Sequence, residues 1–272
     1  MAPIKINIPR EEPLSLLKAE GVFNLRGLGG YPCTVPTPGW TRRSHIFRSG
    51  HPGDLTPAGV QTLKGLDIKF IINLTSPGES AVTWKLPRRV LEEQGLVFID
   101  CPIQKEVFSV DGLLEKYGQY KNDGRDSVTK KYIDLIATGA PVIKTIARLI
   151  IDHPNDGKLI HCSLGKDRTG VTIALLLMLS GVPDSLIIKD YALSTAGLIP
   201  TIPQIERYLV KAKGKSIDAR KRAEEMIVAR EEYMAATIRA LREIYGDVAN
   251  YLITRCDMSV SDVWKLEAVL VS

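Results

Sequence analysis

The sequence predicts an α/β fold, in which helices flank a central, mostly parallel sheet and the C-terminal third is helical. Short apolar runs that are typical of buried strands alternate with longer runs of helical periodicity over the first two thirds of the chain. The last third carries amphipathic segments separated by Gly214 and Gly246, which are typical helix terminators. The chain has 272 residues, 44% of them hydrophobic, which is enough to bury one substantial core.

Strand and helix patterns can be placed in order along the chain. We predict strands at 44–48, 68–74, 96–100 and 158–162. The predicted helices are a short one near 14–20, then 57–66, 127–153 with an interruption near 139–141, 168–180, 203–213, 218–245 and 260–270. We expect these elements to form a single domain over 1–272, with 1–22 as an N-terminal extension and 194–216 as a candidate lid.

Composition restricts the classes of function. The net charge of +5 suits an anionic substrate but is too small and too dispersed to indicate a nucleic-acid partner. The longest apolar stretch, 173–179, is too short to insert stably into a membrane. Four cysteines do not make a disulfide framework, and an active thiol is safest in a reducing compartment, so we expect a cytoplasmic protein. The histidines lack metal-like spacing, and we predict neither a metal nor a cofactor.

Segment 160–170 is the most informative part of the sequence. It lies between an apolar strand pattern and an apolar helix pattern, and Arg168 follows Cys162 by six residues. A nucleophilic cysteine needs a local positive field, because an ordinary thiol is mostly protonated at pH 7. The N–H groups of a tight loop, the N-terminus of the following helix and a guanidinium group together supply such a field. This spacing therefore predicts a loop that curls around one tetrahedral oxyanion.

Individual residues of this segment have predicted roles. Arg168 is expected to bind two oxygens of the anion through its planar fork, and Gly165 allows the backbone turn. Thr169 can place its hydroxyl near Cys162. The predicted phosphate-binding set comprises Ser163, Leu164, Gly165, Lys166 and Thr169 of the loop, together with Arg48, which follows a strand pattern. For Arg48, a structural ion pair with a carboxylate is the alternative.

Other interpretations of the cysteine are weaker. A buried structural thiol beside a surface turn is one, and a nucleotide-binding P-loop is another. The P-loop requires a glycine where Ile160 stands and serine or threonine where Asp167 stands. No other cysteine has an arginine at the same offset, since Cys33 is followed there by Gly39, Cys101 by Val107 and Cys256 by Asp262.

The segment HCSLGKDRTG at 161–170 resembles the signature loop of the cysteine-dependent protein tyrosine phosphatase superfamily. Its GKDRTG form is similar to that of the bacterial and fungal branch that also acts on phosphoserine, phosphothreonine and phosphoinositides. Further agreement with this branch comes from FNLRGLGGY at 23–31, IFRSG at 46–50 and DYALS at 190–194. The sequence departs from the usual Asp-Leu-Arg-Ser after the central strand, where it has Asn73-Leu74-Thr75-Ser76.

The resemblance implies a catalytic set of Cys162, Asp167 and Arg168, in which Asp167 serves as general acid and base. Asp167 as a helix cap is the alternative, with Asp100 and Asp111 as rival acids. The resemblance also implies that Lys166 helps to admit polyanions, whereas a solvent-facing lysine is the alternative. His161 is expected to support the loop rather than to act as a base.

The sequence thus predicts a phosphomonoester hydrolase that forms a cysteinyl-phosphate intermediate and acts on phosphotyrosine and on phosphoserine or phosphothreonine of proteins. A phosphoinositide or inositol polyphosphate phosphatase is the alternative within the same chemistry. A non-catalytic phosphate-binding module is the alternative from another class. The predicted partner is a phosphorylated protein or an inositol phosphate, and the sequence does not determine the oligomeric state.

Overall fold

The computed structural model describes residues 12–34, 38–77, 79, 85–103, 124–213 and 218–272. A five-stranded sheet lies at its centre. In spatial order its strands are β1 (Arg26–Gly27), β4 (Ile46–Ser49), β7 (Gly157–His161), β5 (Ile68–Asn73) and β6 (Val97–Asp100). Only β1 is antiparallel to its neighbour, so the prediction of a mostly parallel sheet is confirmed. A separate antiparallel pair consists of β2 (Pro32–Cys33) and β3 (Gly39–Trp40).

Helices cover both faces of the sheet and form most of the C-terminal half. The α-helices are α1 (Pro57–Gly65), α2 (Arg88–Glu92), α3 (Gly124–Thr138), α4 (Ala140–Asp152), α5 (Asp167–Leu179), α6 (Asp184–Ala192), α7 (Ser194–Leu198), α8 (Ile202–Lys213), α9 (Ala219–Ile227), α10 (Glu231–Tyr245), α11 (Val248–Thr254) and α12 (Val260–Leu270). Short 3₁₀ helices lie at Pro52–Asp54 and Ile199–Thr201. Within the described part of the chain, no helix combines the length and the apolar character that crossing a bilayer would require.

The core lies on both sides of the sheet because successive strand residues point to opposite faces. Ile46, Ile72 and Ile160 pack on one face with α3 to α6 and with the C-terminal helices. Phe47, Ile71 and Leu159 pack on the other face with α1 and α2. These central strands are therefore buried on both faces, which explains their near-continuous apolar runs.

The predicted elements differ from the structure in the last third and near the N-terminus. The predicted helix 218–245 is two helices, because Val228 is extended and the N–H group of Ala229 donates to Thr195 Oγ1 (2.9 Å). This tertiary contact outweighs the helix propensity of the surrounding charged residues. No helix forms at 14–20, where Ala19 and Val22 instead form an isolated bridge. Helices α2, α6, α7 and α11 were absent from the sequence prediction.

Helix boundaries predicted from capping residues agree with the structure. The Thr56 side chain accepts a hydrogen bond from the N–H group of Gly59 and caps α1, whose first residue is Pro57. The Ser259 side chain likewise accepts from the N–H group of Asp262 at the start of α12. The interruption predicted near 139–141 separates α3 from α4.

Candidate active site

The loop from Cys162 to Lys166 joins β7 to α5 at the edge of the sheet where the parallel strands end. Three of its carbonyl groups accept hydrogen bonds from donors outside the loop: Ser163 O from the His51 N–H group (2.9 Å), Leu164 O from Asn24 Nδ2 (3.1 Å) and Gly165 O from Arg48 Nη2 (2.8 Å). In a trans peptide, a carbonyl that points outward directs the next N–H group inward. The N–H groups of Leu164, Gly165 and Lys166 therefore face the inside of the loop, which is a typical anion-binding arrangement.

The backbone at Gly165 requires glycine. Its φ of +66° lies in the left-handed region, and a Cβ atom there would lie 2.0 Å from the carbonyl oxygen of Ser49. The loop thus packs directly onto the end of β4. This contact accounts for the turn that the sequence predicts at Gly165.

A buried ion-pair cluster lies behind the loop. Arg26 Nε and Arg48 Nη1 contact the two carboxylate oxygens of Asp190 at 2.9 and 2.6 Å, and all three side chains are 1% exposed. Burial by itself raises the pKa of Asp190, but the two guanidinium groups outweigh it and hold this pKa below its usual range. Burial, reinforced by Arg26, lowers the pKa of Arg48 to about 10. Because two cations share one anion, the cluster adds positive charge beneath the anion-binding loop.

The Arg48 side chain contacts both a buried carboxylate and the loop backbone. Its guanidinium group is buried between Asp190 and the Gly165 carbonyl group, behind the loop. The alternative interpretation, a structural ion pair, is the one the structure supports. Arg48 contacts the backbone of the loop at the Gly165 carbonyl group, and a direct phosphate contact stays a prediction.

Arg168, the predicted phosphate-binding arginine, lies at the mouth of the loop. Its Nη2 atom forms an ion pair with Glu79 Oε2 (2.6 Å), an oxygen that also accepts from Ser163 Oγ (3.1 Å), and its Nη1 atom donates to Leu74 O (3.3 Å). Arg168 Nε is buried and has no hydrogen-bond partner among the described residues. Burial acts to lower the pKa of Arg168, but attraction to Cys162 and Glu79 outweighs it and raises this pKa. The guanidinium group is therefore charged.

The departure from the family pattern at position 75 forms a compact turn. Asn73 Oδ1 accepts hydrogen bonds from the N–H group (3.0 Å) and from Oγ1 (2.6 Å) of Thr75. This side chain-to-backbone turn fixes the backbone directly after β5. The Leu74 carbonyl group that contacts Arg168 belongs to this turn, which thereby positions the arginine.

Asp167 is the first residue of α5, and its carboxylate contacts Tyr132, which in turn contacts Tyr191. The Tyr132 hydroxyl donates to Asp167 Oδ1 (2.6 Å), and the hydroxyl groups of Tyr132 and Tyr191 lie 2.7 Å apart. All three residues are buried. Because Oδ1 accepts from Tyr132, a proton on this carboxyl group would be carried by Oδ2.

The rival acids are less suitable or lie outside the described residues. Asp100 ends β6 and accepts hydrogen bonds from Asn73 Nδ2 (3.0 Å) and Arg88 Nη1 (2.9 Å). Burial raises the pKa of Asp100, but these two donors outweigh it, and the net effect is a lowered pKa. A lowered pKa disfavours the protonated form that a general acid needs. Asp111 lies outside the described residues.

His161 and His51 form an edge-to-face pair next to the loop, with ring centroids 5.2 Å apart. Burial lowers the pKa of His161 to about 3 and that of His51 to about 4, so both rings are neutral at pH 7. His161 Nδ1 contacts the Cys162 carbonyl oxygen at 3.3 Å. This geometry agrees with a supporting role for His161.

A cavity of about 460 Å³ opens beside the loop. Its apolar walls come from Phe23 and from Leu164 of the loop, and from Leu198, Ile205, Tyr208 and Met226 of the helical region that follows α6. Among the residues that the structure describes, the charged side chains that line the cavity are Asp54 and Glu79, both acidic. The site therefore combines a cationic, N–H-rich loop with an apolar chamber next to it.

The sequence profile of the tyrosine phosphatase family matches residues 17–272. The chain belongs to the tyrosine phosphatase family. A match over nearly the whole chain supports a phosphatase enzyme.

Individual relatives agree with this assignment. A tyrosine-protein phosphatase of Nostoc commune is 30% identical over 151 residues, which are 55% of this chain and 48% of that protein, so the match spans about half its length. A putative tyrosine-protein phosphatase of Cupriavidus necator is 24% identical over 91% of this chain and 86% of its own. The triple specificity protein phosphatase PtpB of Mycobacterium tuberculosis is 24% identical over 85% of this chain and 92% of its own.

Among solved structures, the catalytic domain of the PP-IP phosphatase SIW14 from S. cerevisiae is similar. It is 16% identical to this chain, with a TM-score of 0.36, and the match covers 85% of this chain and 96% of that domain.

Lys166 of this phosphatase is buried and contacts the backbone at the end of α9. Its side chain is 2% exposed, and Nζ donates to the carbonyl groups of Met226 (2.7 Å) and Val228 (3.0 Å). The alternative of a solvent-facing lysine is therefore wrong, whereas the role in admitting polyanions stays a prediction. The lysine is buried because the segment after α9, some 60 residues further along the chain, folds back against the loop.

Sequence reasoning also missed residues that shape the site. Asn24 and Arg26 lie in the segment 23–31 that carries the family resemblance, so that resemblance was the available signal. Tyr132 was recognisable only as one position in a predicted helix. Glu79 carries no sequence signal, because its role arises from the path of the chain after β5.

Proposed function

We propose that this phosphatase hydrolyses aryl phosphate monoesters, above all phosphotyrosine in proteins, through a cysteinyl-phosphate intermediate. The observation that carries the proposal is that three consecutive carbonyl groups of the loop accept hydrogen bonds from donors outside it. Their orientation directs the N–H groups of the loop towards the space above Cys162. This donor set matches the oxygens of a tetrahedral phosphate. The charged Arg168 completes the set.

In the first step, the Cys162 thiolate attacks phosphorus. The S–P bond forms as the bond between phosphorus and the ester oxygen breaks, and Asp167 transfers its proton to the departing oxygen. Arg168 Nε, a buried donor that lacks a partner in the described part of the chain, is available to a phosphate oxygen. The phosphate also competes with the Glu79 carboxylate for Arg168 Nη2 and Ser163 Oγ.

In the second step, water attacks the cysteinyl phosphate. The Asp167 carboxylate accepts a proton from this water, the S–P bond breaks, and inorganic phosphate leaves with the thiolate restored. Thr169 Oγ1 is buried and has no hydrogen-bond partner among the described residues, so it is available to donate to the Cys162 sulfur as that sulfur departs.

The chamber beside the loop supports an aromatic leaving group. A phenol ring that enters it meets Phe23, Ile205 and Tyr208, and burial of such a ring is worth about 1.5 to 3 kcal/mol. An inositol polyphosphate would instead place further negative charge next to Asp54 and Glu79. This charge pattern favours phosphotyrosine over inositol phosphates.

A parallel turnover assay tests the substrate class. Two peptides of identical sequence, one with phosphotyrosine and one with phosphoserine, differ only in the ring that the chamber would bury. We expect kcat/KM to be about tenfold or more higher for the phosphotyrosine peptide, since each 1.4 kcal/mol corresponds to tenfold. Inositol hexakisphosphate and a short-chain phosphatidylinositol phosphate are measured in the same buffer, and either of them as the fastest substrate would favour the inositol phosphate alternative.

The role of Asp167 can be tested by pH profiles. Asp167→Asn is expected to lower kcat for a phosphotyrosine peptide about a hundredfold or more and to remove the alkaline limb, because only the protonated acid assists the leaving group. Tyr132→Phe is expected to keep the plateau rate and to move the alkaline limb to higher pH, because a hydrogen bond to a carboxylate favours its charged form.

Asp134→Asn is the control, since Asp134 is exposed on the same helix as Tyr132. It should leave both limbs of the profile in place. An Asp167→Asn enzyme with a normal rate and a normal alkaline limb would exclude Asp167 as the acid and direct attention to Asp100.

A further inference from the structure

The lysine of the catalytic loop contacts backbone carbonyl groups of a distant helix. Lys166 Nζ lies 2.7 Å from Met226 O and 3.0 Å from Val228 O, and the side chain is almost fully buried. Its distance to Asp167 Oδ1 is 3.9 Å. The ammonium group is thus directed away from the inner side of the loop, towards the segment that follows α9.

The end of α9 is a favourable place for a positive charge. The last carbonyl groups of a helix lack intrahelical partners and carry its partial negative charge. Lys166 donates to the Met226 carbonyl group in the last turn and to the Val228 carbonyl group directly after it. Thr195 Oγ1 accepts from the Ala229 N–H group (2.9 Å), so two side chains fix the chain at the end of α9.

This contact joins the catalytic loop to the wall of the chamber. Met226 packs with Ile205 and Leu209 of α8 in one apolar cluster, and Leu164 of the loop packs against the same cluster. Met226, Ile205 and Leu164 also line the chamber. A shift at the end of α9 would therefore change the shape of the chamber while the loop N–H groups stay in place.

We propose that Lys166 is a positioning residue that sets substrate specificity: it fastens the Met226 wall of the chamber to the catalytic loop, and it does not bind the phosphate. The proposal rests on the proposed function, because it assumes that the leaving group occupies this chamber. It reverses the role that the sequence suggests for a lysine in this loop.

Lys166→Met tests the proposal, since methionine has a similar length and no donor. We expect KM for a phosphotyrosine peptide to rise about tenfold, through the loss of ring burial, with kcat within about threefold of the wild-type value. The inhibition constant of inorganic phosphate should change by less than about twofold. Lys221→Met, which removes an exposed lysine from the same helix α9, is the matched control and should change neither constant.

A direct phosphate contact would give a different result. In that case the inhibition constant of inorganic phosphate and the KM for the peptide would rise by the same factor, and the proposal would be wrong. A Lys166→Met enzyme with wild-type values of both constants would also overturn it. A double-mutant cycle with Met226→Ala supplies a further criterion, because two residues that act through one wall should give non-additive losses.

Amide hydrogen exchange tests the role of Lys166 independently of the proposed function. In Lys166→Met we expect faster exchange at 226–229, with exchange in β7 and α5 unchanged. This measurement does not depend on turnover. If the wild-type protein bound phosphate without hydrolysing any ester, the proposed function would fail, whereas unchanged exchange at 226–229 would refute the role of Lys166 by itself.

Discussion

Cys162→Ser is expected to reduce phosphate release from an aryl phosphate by about a thousandfold or more, while binding of inorganic phosphate persists. A serine hydroxyl is far less acidic than a thiol, so the field that sustains a thiolate does not produce an alkoxide. The loop N–H groups and Arg168 stay in place, because their orientation depends on contacts made by Asn24 and Arg48. Steady-state assays and titration calorimetry with inorganic phosphate measure the two properties separately.

Cys33→Ser is the matched control for this experiment. Cys33 is buried, as Cys162 is, but lies in the β2 and β3 pair. The Cys33→Ser variant should retain wild-type turnover. More than a tenth of the activity in Cys162→Ser would contradict a cysteine nucleophile, and a wild-type protein that binds phosphate without turnover would support the non-catalytic module instead.

Asp190→Asn is expected to have the largest effect on stability, a loss of about 3 to 5 kcal/mol in the free energy of unfolding. The substitution keeps the shape of the side chain but leaves Arg26 and Arg48 buried without their counter-charge. Both arginines would move to regain partners, and Arg48 would then release the Gly165 carbonyl group. We therefore expect kcat/KM to be lower than the wild-type value even at urea concentrations below the denaturation midpoint, where the variant is folded. Urea denaturation at pH 7, followed by assays in the native range, measures both losses.

The pH dependence of this effect has a definite sign. The pKa of Asp190 is lowered in the folded protein, so its stabilisation is fully present above the unfolded pKa of about 3.9 and is lost as pH falls through the folded pKa. The difference in unfolding free energy between wild type and Asp190→Asn should thus be constant from pH 6 to 8, on the order of the full effect, and shrink only in acid.

Asp184→Asn is the control on the same helix α6. Asp184 forms an exposed ion pair with Arg242, and such pairs contribute about 0 to 1 kcal/mol. An equal loss of stability in the two variants, or normal activity in Asp190→Asn, would contradict the idea that the buried cluster holds the loop.

The main features of the fold were predictable because they depend on local patterns. Apolar strands such as β5 and β7 have contiguous buried residues, and α1 and α12 begin at side chains that cap them. The division of 218–245 into α9 and α10 was not predictable, because it depends on contacts of Ala229 and Val228 with residues distant in sequence. Helix propensity does not encode such contacts.

The candidate site shows the same distinction. The spacing from Cys162 to Arg168 is a local property, and it predicts a loop whose geometry the structure supports. Lys166 and Arg48 carry charges whose partners depend on the whole fold: Lys166 contacts a carbonyl group of α9, and Arg48 contacts the carboxylate of Asp190. A charged residue that lies in or near a loop in the sequence can therefore either bind the ligand or stabilise the backbone of the loop.

The amino-acid sequence by itself determined the family, the α/β sheet and the position of the anion-binding loop, because short-range backbone and spacing requirements specify them. Tertiary structure alone decided which cations support the loop and which carboxylate forms an ion pair with Arg168. It also decided how α8 and α9 form an apolar chamber beside the loop. The physical reason is that buried charges and apolar side chains take whichever partners the chain brings near, and those partners lie far apart in sequence.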